Sequence, residues 1–132
     1  MRELRVALTA EDYESALRFY RDVLGLPLVS SWDRGSRRGA ILDAGRGTIE
    51  VLSVESAKEA DEVEVGEAGV SSGLRLALEV ADSVLLAQRL AAAGAEQLAD
   101  PVVTPWGDRN VRLRTQEGVQ LTLFTPLESD AS

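Results

Sequence analysis

The sequence predicts an α+β fold made of two tandem βαβββ modules, and three observations predict it. Strand-like alternation gives way twice to a helical stripe closed by glycine, from Leu4 to Gly25 and again from Leu74 to Gly94. Each stripe is followed by three further strand-like runs. The halves also echo each other in detail, with Trp32-Asp33-Arg34 against Trp106-Gly107-Asp108-Arg109 and closing strands led by Gly47 and Gly118. A repeat of about 70 residues is too long for a solenoid unit and reads as two copies of one module.

Each element has its own signal. Leu4, Val6 and Leu8 alternate with Arg5 and Ala7, a strand with one apolar face. Thr9, three residues before Asp12, opens a helix with acidic residues in its first turn. Tyr13, Ala16, Leu17, Tyr20, Val23 and Leu24 then recur at helical spacing up to a cap at Gly25. Leu26 to Trp32 reads as the second strand, Asp33 to Arg37 as a polar turn, Arg38 to Asp43 as the third strand and Gly47 to Ser53 as the fourth. Residues 54–73 carry Glu55, Glu59, Asp61, Glu62, Glu64 and Glu67 among small residues, with Gly69, Ser71 and Ser72 near the end; they read as an acidic, solvated connection on the surface. The pattern restarts at Leu74, Leu76, Leu78 and Val80, Asp82 is a natural N-cap, and Leu85, Leu86, Arg89, Leu90 and Ala93 are helically spaced. Strands at Glu96 to Val103, Asn110 to Arg114 and Val119 to Phe124 complete the set. The expected organisation is one domain over residues 1–132, with modules at 4–53 and 74–125, the connection at 54–73 and a polar tail at 126–132.

What the chain lacks narrows its chemistry. It has no cysteine, which removes disulfides and thiolate catalysis, and no histidine, the commonest transition-metal ligand and the usual general base near neutral pH. Any metal would need oxygen ligands. The 14 basic and 22 acidic residues give a net charge of -8, which disfavours nucleic acid or an anionic membrane as a partner. No apolar run approaches the ~20 residues of a membrane helix. Met1 leads straight into alternating sequence rather than a leader, so a cytoplasmic location is expected.

The stretch Ala16-Leu17-Arg18-Phe19-Tyr20-Arg21-Asp22-Val23-Leu24-Gly25-Leu26 resembles the helix with an "FY…vLG" ending of the vicinal oxygen chelate superfamily, which contains glyoxalase I, the bleomycin-resistance proteins and the extradiol dioxygenases. Gly39 to Glu50 is similar to that family's β-hairpin, and the resemblance runs over residues 2–125. It implies curved mixed sheets around a cup-shaped cavity, with the helices outside. Alternation then turns Leu4, Ile49, Val51, Leu74, Leu78 and Leu123 toward the helices, and Arg5, Glu50, Arg75, Glu79, Thr122 and Phe124 toward the cup.

In the family's metalloenzymes the first, fourth, fifth and eighth strands each carry a metal ligand, and the resemblance places Arg5, Glu50, Arg75 and Thr122 at those positions. Only Glu50 matches. A guanidinium has no lone pair to give a metal, so a member without metal or other cofactor is expected. Glu50 then reads as a carboxylate held by Arg5 and Arg75, either filling the cup's floor as a salt-bridge cluster or leaving one arginine to bind an anionic or carbonyl oxygen. Trp32 and Trp106 stand where strands give way to polar turns and either pack or stack on a planar ligand; Glu79 and Arg112 are expected to line the same hollow. No nucleophile is activated, and a base clamped by arginine has a lowered pKa, so no catalytic residue is assigned. The resulting expectation is a homodimer that sequesters a small organic molecule, an antibiotic or a metabolite, as the bleomycin-resistance branch does. Two alternatives stand beside it: a lyase, isomerase or dioxygenase of the same superfamily, using Glu50 with Glu79 on a divalent ion or working metal-free, and a purely structural or regulatory dimer.

Overall fold

A computed structural model describes residues 1–67 and 73–128. Gly69, Ser71 and Ser72 of the acidic stretch, and residues 129–132 of the tail, lie outside the described residues.

Strand β1 (Glu3–Ala10) leads into helix α1 (Tyr13–Leu17), which Asp12 caps by accepting the Ser15 backbone N–H at 3.0 Å. Thr9, expected to open the helix, is still in β1 and gives its backbone N–H to the Gly73 carbonyl. The helical path continues as π-helical turns over Arg18–Val23 and stops at Gly25, whose φ of 86° an L-residue with a side chain adopts only with strain. An antiparallel meander follows, β2 (Leu28–Arg34), β3 (Arg37–Asp43) and β4 (Thr48–Ser53), and β4 returns parallel to β1. The second half runs β5 (Leu74–Glu79), a helix α3 (Ser83–Ala92) capped by Asp82, β6 (Glu96–Gln97), β7 (Val102–Val103), β8 (Asp108–Arg114) and β9 (Gln120–Pro126). The single strand expected at Glu96 to Val103 is therefore two short pieces. Pro101, which has no N–H for a ladder, lies between them.

The strands form one curved, unclosed mixed sheet in the order β2-β3-β4-β1-β5-β9-β8-β6, with β7 also paired to β8. The antiparallel β1–β5 pairing joins the two halves, so that Ala7 sits between Glu50 on β4 and Arg75 on β5. Helix α1 covers one flank over Tyr13, Leu17, Leu42 and Val51; α3 covers the other over Ala87, Val111, Leu113 and Leu123. Neither reaches the centre, and Leu4 and Leu74, expected to face a helix, stay exposed.

The largest departure from the sequence reading lies between the halves. Residues 54–65 are not a solvated connection but a helix, α2 (Val54–Val65), capped by Ser53 at its start and by Gly66 in the left-handed conformation at its end. Ala57, Asp61 and Glu64 recur at spacings of four and three, which is one helical face, and all three are buried. Two of these core-facing positions are carboxylates. A pattern of hydrophobicity therefore reads the segment as solvated.

Candidate functional site

The concave face of the sheet and α2 enclose a cavity of about 460 Å³. Its floor carries Glu50 and Arg75 on either side of Ala7, with Arg5 one step along β1. Arg5 gives its Nε–H to Glu3 Oε2 at 2.8 Å, places Nη1 3.7 Å from Glu50 Oε2, and lays its guanidinium 5.1 Å from the centre of the Phe124 ring. Glu3 also accepts from Thr48 Oγ1 at 2.7 Å, so most of the Arg5 charge is already matched. Arg75 gives Nη1–H to Thr122 Oγ1 at 2.7 Å and makes no ion pair within 4 Å among the described residues.

Beneath the floor lies a fully buried network. Arg112, 0 % exposed, meets Asp61 Oδ1 through Nη1 at 3.0 Å, Glu64 Oε1 through Nε at 3.3 Å and Gln120 Oε1 through Nη1 at 2.9 Å. Thr122 donates its hydroxyl proton to Glu64 Oε1 at 2.7 Å and accepts from Arg75 and, at 3.2 Å, from Arg112 Nε. Its one donor and both lone pairs are thereby used. The acids of α2 neutralise Arg112, which would otherwise be a buried cation without counter-charge.

The walls are aromatic. Trp32 lies within β2, and its Nε1–H bonds Ser56 Oγ of α2 at 3.2 Å. Its ring runs directly over Gly39 of the paired strand, where a Cβ would stand 2.0 Å from Trp32 Cζ2. Only glycine at this position leaves the indole its place. Trp106 sits on the opposite side, in the turn between β7 and β8, lining the cavity while 47 % exposed.

Of the expected site residues, Arg5, Trp32, Glu50, Arg75, Trp106 and Thr122 all line this one cavity. Glu79 does not, and Arg112 lies behind the lining within the buried network. Glu50 also departs from expectation. Arginine was expected to lower its pKa, but burial raises it above the usual carboxylate range, outweighing the opposing pull of Arg75 and then Arg5. Neither guanidinium makes a hydrogen bond to it among the described residues; of the hold that the residue types suggested, the 3.7 Å ion pair with Arg5 is present and the bidentate hydrogen bonding is not. Asp61, Glu64, Asp108 and Asn110 were not anticipated; the strand alternation that selects Arg112 also selects Asp108 and Asn110, and the spacing of Ala57, Asp61 and Glu64 was readable as a helix face.

A divalent ion does not fit this donor set. Of the four positions that the resemblance equates with metal ligands, two are guanidiniums and the Thr122 hydroxyl is saturated, which leaves the Glu50 carboxylate alone. Among the described residues no group of three or more acidic side chains is arranged to hold a metal.

Residues 4–123 match the family described as Glyoxalase/Bleomycin resistance protein/Dioxygenase superfamily. The uncharacterized protein YraH of Bacillus subtilis (strain 168) is 37% identical over 59 residues, 45% of this chain and 44% of that protein, so the chain spans less than half the length of this curated relative. Among solved structures, the hypothetical protein BH1468 from Bacillus halodurans C-125 superposes with a TM-score of 0.69 at 21% identity, covering 97% of this chain and 96% of that one. The methylmalonyl-CoA epimerase from Mycobacterium tuberculosis superposes with a TM-score of 0.66 at 21% identity, covering 94% and 87%. At such identities the likeness is one of fold.

Proposed function

This chain belongs to the Glyoxalase/Bleomycin resistance protein/Dioxygenase superfamily, and we propose that it binds a small organic molecule in its cup without a metal and without converting it. The observation that carries the proposal is the pair Arg5 and Arg75 at metal-ligand positions on the floor of an aromatic-walled cavity. Arg75 spends one side-chain hydrogen bond on Thr122 and has further donors for a carbonyl or carboxylate oxygen. Trp32 and Trp106 offer flat faces to a planar body, and a cavity of this volume suits a drug-sized molecule. Metal analysis of the purified protein, with calorimetric titration of Mn²⁺, Ni²⁺ and Zn²⁺, is expected to find no saturable site at micromolar concentration. Titration with planar antibiotics and aromatic metabolites is expected to quench tryptophan fluorescence. A stoichiometric metal, or fluorescence unmoved by the whole panel, overturns the proposal.

One observation favours a second reading, an enzyme of the same superfamily working at Glu50. The raised proton affinity of this carboxyl brings it toward the range useful for acid–base work. The fold neighbours include a methylmalonyl-CoA epimerase, so an isomerisation is the reaction to assay first. Turnover that disappears in Glu50→Gln while binding persists would establish that reading in place of sequestration.

A further inference from the structure

At the Trp106 end of the cavity two side-chain acceptors receive no hydrogen bond among the described residues. Asn110 on β8 is 4 % exposed and lines the cavity, and its Oδ1 has no hydrogen-bond partner among the described residues. A buried, unpaired acceptor costs roughly 1–3 kcal/mol, and native proteins rarely leave one without reason. Two residues earlier on the same strand face, Asp108 also lines the cavity, and its carboxyl receives no hydrogen bond among the described residues. Burial raises its proton affinity against the pull of Arg5, as expected of a carboxylate short of partners. Arg5, the cation that pulls on it, is already committed to Glu3 and stacked on Phe124, the β9 residue paired with Asn110. The turn that delivers these groups is fixed by the Asp108 N–H to Thr104 Oγ1 at 3.0 Å and by Gly107 at φ 93°, which places Trp106 beside them.

We infer that Trp106, Asp108 and Asn110 form a donor-reading corner, and that the molecule this cavity takes carries a protonated amine or amidine there. The carboxylate and the amide oxygen accept its N–H groups, and the indole face attracts its charge. Arg75, at the floor, takes an acceptor on the same molecule. The inference rests on the binding reading above and names the chemistry of the ligand's other end.

The test compares two planar three-ring probes, proflavine as the cation and anthracene carboxylate as the anion, by fluorescence titration and calorimetry on the full chain. Wild type is expected to bind proflavine, and Asp108→Asn and Asn110→Leu each to weaken it about tenfold, the size of one lost charge-assisted hydrogen bond, with anthracene carboxylate unaffected. Asn110→Leu is also expected to melt no lower than wild type, since it removes an unpaired acceptor, so weakened binding there cannot be laid to misfolding. Proflavine binding unchanged in both variants overturns the inference. Wild type that takes anthracene carboxylate but not proflavine overturns it too, while leaving the cavity's binding role in place. Failure of both probes together with the whole compound panel overturns both readings.

Discussion

The two halves of the sheet share a topology and treat buried charge in opposite ways. In each, the first strand pairs in parallel with the last, β1 with β4 and β5 with β9, and the last runs antiparallel to the one before it. On the second half's concave face, Arg112 is sealed behind the cavity lining, where Asp61 and Glu64 of α2 answer its charge and Glu64 also accepts the Thr122 hydroxyl. On the first half's face, Glu50 looks into the cavity with Arg5 3.7 Å away and no hydrogen bond among the described residues. The first half has also kept a seven-residue β2 that carries Trp32 into the wall, where the second has only the two-residue β6 and β7. One half thus seals its buried ions while the other leaves its carboxylate open to the cavity, which residues of both halves line. The segment that decides which is which is α2, the one element whose helical face is written in carboxylates.

The most severe way to break this contrast is to remove its central cation. Arg112→Met leaves two buried carboxylates without their partner and is expected to cost about 3–5 kcal/mol in urea denaturation. Arg5→Met, at partly buried ion pairs that still reach solvent, is expected to cost only about 1 kcal/mol. Equal losses would mean that the halves do not differ in the way described. The triple change Asp61→Leu, Glu64→Met and Arg112→Met sharpens the point: with the ions replaced by apolar side chains of like size, stability is expected to recover most of the Arg112→Met loss, the remainder being the Thr122 hydroxyl and Gln120 amide that lose their bonds to Glu64 and Arg112.

A lesson about reading sequence follows from α2. Regular elements whose faces are apolar were legible: Ile49, Val51, Leu78 and Leu123 turn toward the helices as their alternation says, and Asp82 caps α3. The cavity-facing set Arg5, Glu50, Arg75 and Thr122 was legible for the same reason, since strand period is two and the residues stand out by charge. What failed depended on partners distant in sequence. Asp61 and Glu64 look solvated until Arg112, about 50 residues on, is brought against them. The proton affinity of Glu50 likewise depends on how far Arg5 and Arg75 stand from it, which residue type does not specify.

Gly39→Ala tests the open half next. Its Cβ would meet the Trp32 ring, so the indole must leave the wall and give up its bond to Ser56, at an expected cost of about 1–3 kcal/mol. A shifted tryptophan emission maximum is the accompanying signature. An unchanged spectrum and stability would remove Trp32 from the cavity's construction. Asp12→Ala and Asp82→Ala probe what the halves have in common. Both caps accept one N–H at 3.0 Å, and each substitution is expected to lower stability by about 1 kcal/mol. A large inequality between them would show that α1, with its π-helical continuation, and α3 do not contribute alike.

The pH dependence of Glu50 is the most informative about the cavity. Burial, opposed by Arg75 and Arg5, leaves Glu50 with a higher pKa folded than unfolded. Between the two values the folded state holds the extra proton, so the group's stabilising contribution is complete below the unfolded pKa and fades as pH rises through the folded one. Glu50→Gln cannot titrate. Its stability relative to wild type should therefore grow from pH 4 toward neutrality in paired thermal melts across that range. Losing the charge also changes what Arg75 and Arg5 face, but that shifts the variant's curve by a constant and leaves the slope to Glu50. Parallel curves would mean that Glu50 is as well solvated as an ordinary surface carboxylate, and the open half would then be no more strained than the sealed one.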